Sequence, residues 1–113
     1  MKTELAPSGL TNGIIGKLHR IFDSYQKLDT VILYGSRALG TYKMGSDIDL
    51  TFIGNGLGFN DILNLEAELD DLMTPYSFDI SIFDQLDNPQ LIEHINRVGV
   101  VFYERDAKLE DRS

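Results

Sequence analysis

An apolar run, Thr30 to Tyr34, stops at Gly35-Ser36, and six residues after Gly40 the chain resumes with Asp47-Ile48-Asp49-Leu50. No other feature restricts the fold as much. The run is rich in β-branched and aromatic side chains and reads as a buried strand, and the glycine-serine break reads as the start of a short helix, Ser36 to about Thr41. A helix start leaves backbone N–H groups without partners and so favours anions. Gly35 permits close backbone approach there, and the Ser36 hydroxyl adds a donor. The next strand, Asp47 to Ile53, alternates, with Ile48, Leu50 and Phe52 facing one way and Asp47, Asp49 and Thr51 the other. Strand residues two apart share a face, with α-carbons roughly 7 Å apart, so Asp47 and Asp49 aim together and suit one or two hard cations. A phosphate cradle beside paired carboxylates is chemically coherent if Mg²⁺ lies between the acids and a nucleoside triphosphate.

Residues 1–9 are polar, carry Pro7 and read as a lead-in. From Thr11, the expected N-cap, Ile14, Leu18, Ile21, Phe22 and Tyr25 recur at helical spacing. Beyond the second strand, Gly54-Asn55-Gly56-Leu57-Gly58 imitates a dinucleotide fingerprint, but Phe59 stands where the third glycine belongs, so the segment reads as a turn. A helix follows over about Asn60 to Met73, with Ile62, Leu65, Leu69 and Leu72 inward and Glu66, Glu68, Asp70 and Asp71 outward, ended by Pro75. Tyr76 to Phe83 alternates again and sets Asp79 between Ser77 and Ser81. Asn88 then caps a helix that opens with Pro89, buries Leu91, Ile92, Ile95 and Val98, and is expected to close on Gly99 in the left-handed conformation. Val100 to Tyr103 is the last strand, and residues 104–113 form a charged tail. This order implies a single α/β (α+β) domain over residues 10–103, with helices packed on a four-stranded sheet.

Composition removes several classes of function. The formal net charge of −8 and the absence of a basic stripe argue against direct nucleic-acid binding. There is no cysteine, and His19 and His94 each stand alone on a helical segment, where both read as surface residues. Neither a histidine-based triad nor a zinc site has material to work with. No signal core occupies Met1 to Leu10 and no apolar run could span a bilayer, so a cytoplasmic location is expected. The remaining chemistry is phosphoryl or nucleotidyl transfer. Asp47 and Asp49 are then the metal ligands, Gly35 and Ser36 hold phosphates, Arg37 or Lys43 offsets their charge, and Asp79 completes the metal site or serves as general base. Tyr34 and Tyr42 pack, or stack on a base.

Gly35-Ser36-Arg37-Ala38-Leu39-Gly40, the ten residues between Ser36 and Asp47-Ile48-Asp49-Leu50, and Phe78-Asp79-Ile80 on a later strand resemble the minimal nucleotidyltransferases of the polymerase-β-like superfamily. The resemblance implies a mixed sheet, two Mg²⁺ ions, ATP as donor, Asp47 and Asp49 as ligands and Asp79 as the third acid. Leu39 stands where the family often carries arginine, which leaves the phosphate grip to Arg37. Larger members carry further domains that hold the acceptor, so the acceptor here is expected on another polypeptide or across a dimer. Members of this length imply a HEPN-domain partner and an antitoxin that adds AMP to a tyrosine of that ribonuclease toxin. A transferase with a small-molecule hydroxyl acceptor, and a non-catalytic antitoxin that acts by binding, are the competing expectations.

Overall fold

The computed structural model describes residues 8–105. The elements are α1 (Asn12–Ser24), β1 (Thr30–Tyr34), α2 (Ser36–Leu39), β2 (Ile48–Ile53), α3 (Phe59–Asp71), β3 (Phe78–Ile82), α4 (Pro89–Val98) and β4 (Val100–Glu104), with a 3₁₀ turn, Phe83–Gln85, between β3 and α4. Two helix starts are set by side-chain caps. The Thr11 hydroxyl accepts the Ile14 N–H at 3.2 Å, and Asn88 Oδ1 accepts from Gln90 at 2.9 Å with Pro89 at the first helical position.

The sheet order is β3-β2-β1-β4, with β1 antiparallel to both neighbours and β3 parallel to β2. Chain connectivity explains the mixture. The short α2 segment lets the chain turn back between β1 and β2, whereas α3 carries it across the sheet so that β3 starts at the same end as β2. One face is dry. Leu18 and Phe22 of α1 and Leu65 and Leu69 of α3 pack there on Val31, Leu33, Ile48, Leu50 and Phe52. The Phe22 and Phe52 rings meet edge-on at 5.8 Å. The other face is covered in part by α4, whose Ile95 and Val98 pack with Ile32 and Tyr34.

The Gly54 to Gly58 segment is a turn, as its spacing predicts. Leu57 is buried, and the Gly58 N–H is taken at 2.8 Å by Asp61, so the start of α3 is closed by the protein's own carboxylate. Asp61 also accepts from the Tyr25 hydroxyl, and these bonds tie the end of α1 to α3.

Several features differ from the sequence reading. β2 begins at Ile48, and Asp47 lies just before it; β3 is shorter than expected at both ends, since Tyr76 and Ser77 precede it and Phe83 enters the 3₁₀ turn. Helix α2 ends at Leu39, where Gly40 adopts φ 80° and stops it. Gly99 is extended, with φ −61° and ψ 144°, rather than left-handed. It is required for a different reason: α4 runs directly into β4, and a Cβ at this position would overlap the Ile95 carbonyl and Ile32. Finally, the fold extends beyond both ends of the expected domain. Ser8 is buried, Glu104 pairs with Thr30, and the Arg105 guanidinium donates to the Leu28 and Tyr25 carbonyls at 2.8 and 2.9 Å. The rest of the expected lead-in and tail lies outside the described residues.

Candidate active site

Alternation along β2 and β3 places the acids. Asp49 stands in register with Asp79 across the parallel pair and with Tyr34 across the antiparallel pair. Residues in register share a face, so all three side chains project from the side that carries α4. Asp47 and Asp79 are exposed while Asp49 is half-buried. Burial pushes the Asp49 carboxyl up to about 6, and the charges of Asp79 and then Asp47 add to the rise. The charges of Asp79 and Asp47 thus both reach Asp49. Farther along the same face, the Ser81 hydroxyl donates to that of Thr51 at 3.0 Å. Burial also raises the Tyr34 phenol, against a Ser81 hydrogen bond that lowers it, and Asp79 and Asp49 raise it further.

The turn after β1 closes over these acids. Gly35 has φ 74° and ψ −156°, a combination open in practice only to glycine. A Cβ there would overlap the Asp49 carboxylate, so the absence of a side chain lets the backbone lie against the acid. The first helical bond is from the Leu39 N–H to the Gly35 carbonyl at 3.1 Å, which leaves the N–H groups of Ser36, Arg37 and Ala38 without acceptors inside the helix. Gly35 thus sits against Asp49, and the N–H groups of the three residues after it lie just beyond.

Arg37 is placed otherwise than the sequence suggests. Its side chain is 3% exposed, and its guanidinium donates to the Ser46 carbonyl from Nε and Nη2, at 3.2 and 3.0 Å, and to the Ser8 carbonyl from Nη1 at 2.7 Å. The Tyr42 and Tyr76 rings each lie 5.0 Å from it. A guanidinium engaged in this way braces the loop that leads to Asp47, which corrects its assignment as a phosphate counter-charge. The same contacts give Tyr42 a packing role. Lys43 is exposed on that loop, where its N–H donates to the Ser46 hydroxyl at 2.8 Å.

Both histidines depart from the expected surface positions. His19 is half-buried, with Nε2 2.7 Å from the Phe102 carbonyl, and serves the outer edge of β4. His94, also half-buried, reaches the site: the Gly35 N–H donates to its Nε2 at 3.3 Å, and its ring meets Tyr34 edge-on at 6.2 Å. Sequence reasoning missed this residue because its partner lies 59 positions away. The one available signal was its place beside Ile95 on the inner stripe of α4.

The donor set suits a hard divalent cation. It consists of carboxylate oxygens whose mutual repulsion already appears in the raised Asp49 carboxyl. Among the described residues, no three His, Asp or Glu side chains form a group that would hold an ion unaided.

Comparison with known proteins agrees with this geometry. No curated protein matches the sequence. A chain of a toxin–antitoxin complex with AMP-PNP is 24% identical and superposes with a TM-score of 0.65, covering 89% of this chain and 79% of that one. A chain from the complex of tri-AMPylated Shewanella oneidensis HEPN toxin with MNT antitoxin is 20% identical, with a TM-score of 0.58 and coverage of 91% and 77%. For a chain of the toxin–antitoxin MntA-HepT the values are 20%, 0.55, 87% and 74%. These likenesses establish the fold. The family model described as polymerase beta, nucleotidyltransferase matches residues 16–108, so the strand, turn and acids described above are those of a chain that belongs to the polymerase β nucleotidyltransferase family.

Proposed function

We propose that this chain is a protein adenylyltransferase, moving AMP from ATP to a hydroxyl of a partner protein, and that the partner is a HEPN ribonuclease toxin silenced by the modification. The observation that carries the reading is the alignment of Asp49 with Asp79, on the face where the Gly35-Ser36 turn ends β1. Asp47 and Asp49 would hold Mg²⁺, with Asp79 as the third acid. The metal, two ions by family resemblance, would supply neutralisation of the triphosphate charge that these acids otherwise repel. Ser36 and the N–H groups after Gly35 hold the outer phosphates. The acceptor oxygen bonds to the α-phosphorus as the bond to the bridging oxygen breaks, pyrophosphate leaves, and Asp79, exposed at the sheet margin, takes the hydroxyl proton.

The partner assignment rests on the solved neighbours, which include a toxin–antitoxin complex with AMP-PNP and a HEPN toxin carrying AMP groups beside its MNT antitoxin. A net charge of −8 suits a basic protein surface better than a nucleic acid. Among the described residues no helix is long and apolar enough to cross a membrane, and we place the reaction in the cytoplasm, where ATP is abundant. The test is incubation of the purified protein with α-labelled ATP, Mg²⁺ and a HEPN protein from a neighbouring reading frame of its source. Label should pass to a tyrosine of that protein and should vanish with Asp49→Asn. Full transfer by a folded Asp49→Asn variant overturns the mechanism. Neutralisation of the toxin by the transfer-dead variant at equal expression overturns the role of AMP in silencing and leaves a binding antitoxin.

A further inference from the structure

Gly35 occupies a backbone conformation that persists only where the surroundings hold it. Three restraints are evident. Its carbonyl accepts the first bond of α2, its α-carbon lies against the Asp49 carboxylate, and its N–H, the first beyond the paired residues of β1, donates to His94 Nε2. The third comes from a distant element, carried in by α4. That helix is fixed by Ile95 and Val98, both buried behind Ile32 and Tyr34, and the edge-on contact with Tyr34 holds the imidazole plane. A backbone N–H can only donate, so Nε2 must be the bare nitrogen and the ring proton must sit on Nδ1. The imidazole therefore takes the Gly35 donor, while the N–H groups of Ser36, Arg37 and Ala38 lack helical acceptors.

We propose that His94 is a positioning residue for nucleotide binding: its bare Nε2 pins the Gly35 N–H and so aims the turn's remaining donors at the triphosphate. The proposal rests on the functional reading above and deepens it. His94 acts through Gly35 rather than by touching substrate, so replacing its acceptor should loosen the turn while leaving the acids in place. A Phe at this position keeps a ring against Tyr34 but offers no acceptor; a Gln keeps an acceptor of similar reach.

The test compares wild type, His94→Phe and His94→Gln in the full chain, with two readouts: hydrogen exchange of the Gly35 amide, and affinity for Mg²⁺-AMP-PNP. His94→Phe should exchange the Gly35 amide at least tenfold faster and weaken nucleotide binding by about tenfold, as expected for loss of one backbone-positioning bond. His94→Gln should recover most of both. Should His94→Phe fail to fold, His94→Leu takes its place as the variant without an acceptor, with the same two readouts and the same outcomes deciding. Unchanged exchange in the folded variant without an acceptor, or fast exchange with unchanged affinity, overturns the assignment. A wild-type chain that binds no nucleotide instead sinks the functional reading itself, and the inference falls with it.

Discussion

The two faces of the sheet follow opposite rules. Against α1 and α3, β2 presents Ile48, Leu50 and Phe52, all with no exposed surface, in an apolar layer without charge. On the α4 side the same strand presents Asp49 and Thr51, and its neighbours add Asp79, Ser81 and Tyr34. Strand alternation produces both faces from one six-residue element. The first face supplies stability, and the second holds like charges together at a cost that the first must offset. Packing and charge are thus separable by single residues on one strand.

That separation can be broken in either direction. The largest effect is expected at Asp49→Asn, which should lower AMP transfer by roughly a thousandfold or more, as for loss of a principal charge-stabilising group. Its melting temperature should be equal to or above that of wild type, because the substitution removes a repelled charge; measured together, a fall in both would contradict the division of labour. Phe52→Ala is the counterpart. It should cost about 3–5 kcal/mol in urea unfolding, with specific transfer activity retained by whatever fraction stays folded.

Arg37→Leu sharpens the comparison, because it removes a charge that the sequence places at the site and the structure places behind it. Stability should fall by roughly 2–4 kcal/mol, since the Ser8 and Ser46 carbonyls lose their donor. Folded molecules should keep their affinity for AMP-PNP, measured by calorimetry; lost affinity at unchanged stability would return Arg37 to phosphate binding. The smallest effect is in pH. With its carboxyl at about 6 against an ordinary 3.8, Asp49 holds a proton in the folded chain that the unfolded chain has already released. Stability of the metal-free protein should therefore fall as pH rises through that window, by of order 1 kcal/mol after allowance for the group's solvent exposure. Melting curves on either side of the window should show the slope, and Asp49→Asn should flatten it. Mg²⁺ affinity should run the other way, rising with pH as the carboxylate ionises.

What could be read from the sequence was whatever depends on near neighbours. The inward parity of Ile48, Leu50 and Phe52, the break at Gly35, the Thr11 and Asn88 caps and the turn at Gly54 to Gly58 each follow from a few adjacent residues. Asp79 lay one step further, because its alignment with Asp49 needs β3 beside β2; the crossover helix between them makes a parallel neighbour reasonable without fixing its register. Arg37 was misjudged because Ser8 and Tyr76, two of its four partners, are remote in the chain and nothing local marks them. His94 was missed for the same reason. Gly99 was assigned the right residue type and the wrong cause, since proximity of Ile95 and Ile32 is a tertiary fact.

Arg37 also joins parts of the chain that would otherwise move separately. Ser46 immediately precedes Asp47, Tyr76 lies three residues before Asp79, and both meet the same guanidinium one residue after Ser36. The stems of two acids and the donor-bearing turn consequently share a hub. Loss of that hub is expected to loosen all three stems together, and so to lower the unfolding midpoint before it alters the site of any molecule that stays folded.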